Sequence, residues 1–150
     1  MMHYTIRRAV KEDCARLMEL VRELAAFENA ADAVSVSDAH FMESGFGEHP
    51  VWWAFVAEAH GEVVGFALYY IRYSTWKGQQ LYLEDILVTR DARGQGIGGA
   101  LMARLFTEAK ERNMSGVTWQ ALDWNQPALD FYTKLGADMD PRWINCSIAV

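Results

Sequence analysis

The chain has 150 residues, 51% of them hydrophobic, with 14 Lys+Arg against 20 Asp+Glu and a formal net charge of -6. That length fits one domain, residues 1–150, large enough to bury a core without disulfides or a structural metal, and the apolar, aromatic-rich composition excludes a disordered chain. The acidic balance excludes nonspecific nucleic-acid binding, which rests on Lys and Arg neutralising phosphates, and it suits a cationic small molecule instead.

His3 to Ala9 predicts a first strand. From Lys11 to Glu28, Leu17, Met18, Val21, Leu24 and Ala25 recur at three- and four-residue spacing between charged residues, the pattern of an amphipathic helix. An acidic loop, Asn29 to Val36, leads to a short helix carrying Phe41 and Met42, with Ser37 or Ser35 as its cap and Gly45 and Gly47 as its end. Val51 to Ala59 and Val63 to Tyr73 read as a hairpin around His60-Gly61. Ser74 to Gln80 reads as a polar loop and Leu81 to Val88 as a strand. After a glycine cluster, Ile97, Leu101, Leu105 and Ala109 line one face of a helix to about Asn113. Gly116 to Leu122 predicts a strand, and Gln126 to Leu135 a helix with Pro127 in its first turn and Gly136 at its stop. Trp143 to Ala149 predicts a terminal strand, with room for one more near Ala137. The order β-α-α-β-β-β-α-β-α-β implies an α/β fold, one mixed sheet with helices on both faces.

Arg90 through Ala100 joins a strand to a helix and holds Gly94, Gly96, Gly98 and Gly99. Glycines let backbone approach a bulky anion, and the helix start offers unpaired N–H groups and the positive dipole end, so this is a phosphate cradle by physics. A Walker loop needs Gly-Lys-Ser/Thr, where this chain has Gly98-Gly99-Ala100. A dinucleotide fold places its glycines after the first strand, and a protein kinase needs far more residues. A ligand-free glycine turn stays open on the loop alone. Arg93-x-x-Gly96-x-Gly98 resembles the acetyl-CoA pyrophosphate motif of the GCN5-related N-acetyltransferase (GNAT) superfamily. That resemblance implies a single-domain GNAT fold, with a mixed, mostly antiparallel, twisted sheet. It also implies acetyl-CoA as co-substrate, held by Arg93, Gly94, Gln95, Gly96, Ile97, Gly98 and Gly99.

Glu84 and Asp85 interrupt the apolar run Leu81 to Val88. Adjacent strand residues point to opposite faces, so in a sheet covered on both faces at least one carboxylate is partly buried. An unpaired buried charge costs several kcal/mol or shifts its pKa, so the pair is either functional or held by partners such as arginines. Tyr82-Leu83-Glu84-Asp85, the glycine loop, Gly45 to Pro50, Val64 to Tyr70, and Trp124 to Pro127 with Phe131-Tyr132 resemble the spermidine/spermine N1-acetyltransferase (diamine acetyltransferase) family and thialysine acetyltransferase-like enzymes. The likeness runs from Ile6 to about Gly136.

What the resemblance implies is an acetyl-CoA-dependent N-acetyltransferase acting on a primary amine of a small, polyamine- or diamine-like molecule. A primary amine has a pKa near ~10 and arrives charged, so the reaction needs a proton acceptor. Glu84 matches that role, directly or through water. Asp85, Glu28 and Trp76 match substrate-side groups. Tyr132 matches the donor to the departing thiolate and a cofactor contact. The backbone of Ile86, Leu87 and Val88 is expected to pair with the pantetheine arm, with a Leu87 N–H facing the oxyanion. Asn125 is either a cofactor contact or a helix cap.

Ser74 departs from the polyamine enzymes, which carry an aspartate there, and keeps a lysine-like or thialysine-like amino acid open as acceptor. A non-catalytic acyl-CoA-binding sensor is the reading from another class. Glu84 and Tyr132 together favour an enzyme, because a binder needs neither. Cys14 and Cys146 are expected to be reduced thiols. The scattered histidines have no metal-ligand spacing, so no metal is expected. Arg7, Arg8 and Lys11 follow the start at once, and no run nears the roughly 20 apolar residues of a membrane helix. A cytoplasmic protein with no membrane or nucleic-acid partner is expected, and the resemblance implies a homodimer.

Overall fold

A computed structural model describes all residues, Met1–Val150. The chain divides into two compact units, Met1–Trp119 and Gln120–Val150.

The first unit is built on a five-stranded sheet in the order β1-β2-β3-β4-β5: β1 Thr5–Arg8, β2 Trp53–Ala59, β3 Glu62–Ser74, β4 Gly78–Val88 and β5 Val117–Trp119. Every neighbouring pair is antiparallel except β4–β5, so the sheet is mixed and mostly antiparallel. Three helices accompany it: α1 Cys14–Phe27, α2 Asp38–Phe46 and α3 Ile97–Glu111. One face of the sheet, with Ala54, Val56, Phe66 and Leu68, packs on Leu17, Met18 and Leu20 of α1 and Phe41 of α2. The opposite face meets α3, whose Ile97, Leu101, Met102 and Leu105 are buried.

The period-2 rule is visible in Trp52 and Trp53, which serve opposite faces. Trp52 stacks on Phe41 at 4.5 Å between ring centroids, and its indole N–H donates to the Phe41 carbonyl at 3.1 Å. Gly45 is a close-approach position, since a Cβ there would lie 2.2 Å from the Trp52 ring. Trp53 stacks on Tyr69 at 6.1 Å. On that face the buried Glu108 of α3 accepts from Arg8 at 2.5 Å and from the Tyr69 hydroxyl at 2.7 Å, with Arg112 at 3.5 Å. This network clamps α3 across β1 and β3.

Local boundaries follow identifiable causes. Ser37 caps α2 by accepting from His40 N–H at 3.1 Å. The helix runs through Gly45 and stops at Gly47, whose N–H bonds to the Glu43 carbonyl at 2.8 Å. The expected loop Ser74–Gln80 shrinks to a tight turn. The Ser74 hydroxyl accepts from the N–H groups of Trp76 and Lys77, and Gly78 takes φ 83°, so β4 starts at Gly78. The predicted strand Gly116–Leu122 is only three residues long.

The second unit contains α4, Gln126–Lys134. Asn125 caps it through Ala128 N–H, Pro127 sits in its first turn, and Gly136 at φ 83° ends it. The expected strands at Trp143–Ala149 and near Ala137 do not form. The chain beyond α4 is irregular, and Trp143, Ile144 and Ile148 are exposed. A lone extended segment has no ladder to stabilise it, whatever its β propensity.

Candidate active site

The register of β3 against β4 slips where the carboxylates sit. Leu68 pairs with Asp85 and the next residue, Tyr69, pairs with Leu83, so Glu84 is the extra residue of a bulge. The bulge corrects the simple alternation expected for Glu84 and Asp85. Glu84 turns out exposed, and Asp85 retains a narrower opening to solvent.

Asp85 is opposite Leu68, a residue of the cluster that packs on α1, and Glu28 caps the C-terminal end of that helix. Burial, the Glu84 charge and the Glu28 charge together push the Asp85 carboxyl up to about 6. Burial alone raises Glu28. Neither Glu84 nor Asp85 has a salt-bridge partner, although Asp13 and Glu58 are held by Arg7. Asp85 senses both Glu84 and Glu28, and none of the three has a neutralising cation in a salt bridge, which makes a ready receptor for an ammonium ion.

The next cross-strand pair on the same face is Tyr70 and Tyr82, with ring centroids 5.0 Å apart. Burial raises both phenols, and the Glu84 charge adds to the shift in each. These two rings belong to the acid cluster, and the sequence reading did not single them out. The signal was present as two tyrosines in facing strands, but only the register shows that they oppose each other.

The cradle for a phosphate ester begins at the end of β4. β5 pairs with β4 only from Leu81 to Leu83, so Ile86, Leu87 and Val88 have no strand on that side. An extended chain can add to such an open edge through backbone hydrogen bonds. After a short turn at Arg90–Ala92 come Gly94 at φ 75° and Gly96 at φ 81°. This left-handed backbone suits glycine. Gly96 is the N-cap of α3 and supplies no side-chain cap. The first intrahelical bond runs from Ala100 N–H to the Gly96 carbonyl, which leaves the N–H groups of Ile97, Gly98 and Gly99 without helical partners. A Cβ at Gly94 or Gly99 would meet nothing within 4 Å, so the loop is open to a bulky group. Arg93 Nε donates to the Val88 carbonyl at 2.9 Å, tying the loop to the strand end. Gln95 differs from its neighbours in that its side-chain oxygen accepts the Met2 N–H at 2.9 Å. These features fit a pyrophosphate.

Three further candidates remain. Trp76 is at the tip of the β3–β4 hairpin, 86% exposed, and is not brought against the carboxylates. Asn125 is a helix cap. Tyr132 is buried on α4 beside Phe131, with ring centroids 5.5 Å apart. No group of His, Cys, Asp and Glu side chains is arranged to hold a metal ion.

Comparison with known proteins agrees with this architecture. The model of the Acetyltransferase (GNAT) family matches residues 18–137. The thialysine N-epsilon-acetyltransferase of Bos taurus is 44% identical over 140 residues, covering 88% of this chain and 82% of that protein. The spermidine/spermine N(1)-acetyltransferase-like protein 1 of Homo sapiens is 36% identical over 142 residues, covering 90% of this chain and 20% of that protein. An integron cassette protein from the mobile metagenome of V. cholerae superposes with a TM-score of 0.80 at 30% identity, covering 100% of this chain and 94% of that one.

Proposed function

The chain belongs to the GNAT family and is an N-acetyltransferase that moves an acetyl group from acetyl-CoA to an amine, and from this premise we propose that its acceptor is a terminal primary amine of a small diamine- or polyamine-like molecule. The observation that carries the acceptor class is the uncompensated acid cluster of Glu28, Glu84 and Asp85. We take residues 1–150 as one acetyltransferase domain, a reading supported by a family match that runs through both compact units.

Bound acetyl-CoA supplies a thioester carbonyl activated towards nucleophiles. The helix-start N–H groups of Ile97, Gly98 and Gly99, with the Arg93 guanidinium and the Gly94–Gly96 backbone, hold its phosphates. The free edge of Ile86–Val88 holds the extended arm. Thr89 N–H bonds to the Val64 carbonyl, so two residues back Leu87 turns its N–H to Phe66 of β3, not to the open edge as expected. The N–H groups of Ile86 and Val88 face that edge, and one of them donates to the carbonyl oxygen as it gains charge. Asp85 and Glu28 bind the ammonium. Glu84, exposed on its bulge, takes the amine's proton through water. Tyr132 donates a hydrogen bond to the departing sulfur. Tyrosine's ordinary pKa of ~10 lies above a thiol's ~8.5, so hydrogen bonding to the thiolate is as useful there as full proton transfer. Asn125, which caps α4, is the remaining cofactor contact that the family resemblance implies.

A second reading, a lysine-like or thialysine-like amino acid, is favoured by Ser74. Its hydroxyl builds the hairpin turn and brings no acid to that strand end. Trp76 at the same tip offers an aromatic face to a cation in either reading. We further take the protein to be a cytoplasmic homodimer. The unpaired thiols of Cys14 and Cys146 suit the reducing compartment, and the dimer rests on the family resemblance. No helix is long and apolar enough to cross a membrane.

The test is a free-thiol release assay on two variants. Tyr132→Phe is expected to lower kcat at least tenfold with little change in acetyl-CoA affinity. Glu84→Gln is expected to lose most at neutral pH and to recover in part as the amine deprotonates. Wild-type rates in both variants would remove these residues from the reaction.

A further inference from the structure

The face of the β3–β4 hairpin that carries the acids is graded along its length. At one end Asp85 opposes Leu68, with Glu84 on the adjoining bulge. Tyr82 opposes Tyr70 in the middle. At the far end Gln80 opposes Arg72, whose guanidinium carbon lies over the Tyr82 ring, 5.5 Å from its centroid. Arg7, Arg8, Arg16 and Arg22 are spent on carboxylates, but Arg72 is exposed and makes no ion pair. Its charge is nevertheless felt within the cluster, lowering both phenols against the raising effects of burial and Glu84.

We propose that Arg72 is a specificity-determining residue that binds a carboxylate on the acceptor, so that the preferred substrate is an amino acid bearing a side-chain primary amine. The inference rests on the acetyltransferase reading above and decides between its two acceptor classes. A polyamine is cationic at both ends, and its second ammonium would meet a guanidinium at the far end of this face. An amino acid with a side-chain amine presents an ammonium to the acids and a carboxylate to Arg72, matching both poles. Arg and carboxylate form parallel, charge-assisted hydrogen bonds that Lys cannot reproduce. The spacing agrees. Arg72 lies four strand steps beyond Leu68, roughly 13 Å between Cα atoms. A lysine-length molecule spans roughly 7 Å from amine to carboxyl carbon, and the Asp85 and Arg72 side chains reach inward to cover the rest.

The experiment compares L-lysine with 1,5-diaminopentane, which has the same amine and spacer without the carboxylate. Thiol release is measured with both acceptors for wild type, Arg72→Ala, Arg72→Lys and Arg72→Glu, each checked for an unchanged melting temperature. Wild type is expected to favour lysine in kcat/KM by tenfold or more. Arg72→Ala should raise the KM for lysine about tenfold with little change in kcat, and should lower the KM for the diamine, whose second ammonium no longer meets a guanidinium. Arg72→Lys should recover part of the loss, and Arg72→Glu should reverse the preference. A wild-type preference for the diamine, or a lysine-to-diamine ratio that does not change among the variants, overturns the proposal while leaving the acetyltransferase reading intact. Turnover of other amines but of neither twin overturns it equally. Failure to acetylate any amine sinks the underlying reading and this one with it.

Discussion

Asp85 illustrates how a site residue is recognised by what it costs. Its carboxyl is pushed up to about 6 by burial and by the charges of Glu84 and Glu28. A raised acid means that the folded protein holds the proton more tightly than the unfolded chain. The associated stabilisation is complete below the ordinary carboxylate pKa and is lost as pH rises through about 6. Above that pH the charged Asp85 is a net burden, of up to about 3 kcal/mol for a shift of this size. Asp85→Asn is therefore expected to melt above wild type at pH 7.5 and to converge with it near pH 4. The same variant should bind the amine more weakly, and the wild-type KM for the amine should climb as pH falls through about 6. Lower thermal stability of the variant at pH 7.5 would show that Asp85 has a compensating partner and is structural.

At the scale of elements, most of the scaffold was legible in the sequence because its signals were local. The 3.6-residue spacing marked α1 and α3, Ser35 and Ser37 narrowed the start of α2 to two candidates of which Ser37 is the cap, and Pro127 and Gly136 bracketed α4. The glycine loop was legible as a cradle. Its two left-handed glycines and the uncapped start of α3 are what that reading required. What escaped depends on neighbours distant in sequence. The bulge at Glu84 and the opposition of Tyr70 to Tyr82 are properties of register, which no single strand encodes. The missing strand at Trp143–Ala149 is the converse case, a β-prone segment that forms no ladder, because pairing depends on a partner strand that its own residues do not encode. The cradle makes its own prediction. Gly96→Val forces a β-branched residue to φ 81°, a strain of roughly 1–2 kcal/mol, at the entrance to the helix-start N–H groups. The acetyl-CoA KM should rise tenfold or more while the protein remains folded. An unchanged KM would mean that this loop does not hold the phosphates.

Across the whole molecule, a buried charge network and an open charge cluster divide the labour. Glu108, ringed by Arg8, Arg112 and the Tyr69 hydroxyl, fixes α3 to the sheet and consumes its charges internally. Glu28, Glu84 and Asp85 have no such partners and leave their charge to a ligand. A protein with a net charge of -6 that nonetheless leaves three acids uncompensated in one place is organised around a cation. The central claim is that this cation is an amine and that acetyl is transferred to it. The most direct measurement is thiol release from acetyl-CoA by the wild-type protein with lysine, thialysine, 1,5-diaminopentane, putrescine, spermidine and an amine-free blank, with mass analysis of the product. Thiol release that depends on an added amine, matched by a product heavier by one acetyl group on a primary nitrogen, is the predicted result. Tight binding of acetyl-CoA with no release above the blank for any amine would contradict it and mark the chain as an acyl-CoA sensor.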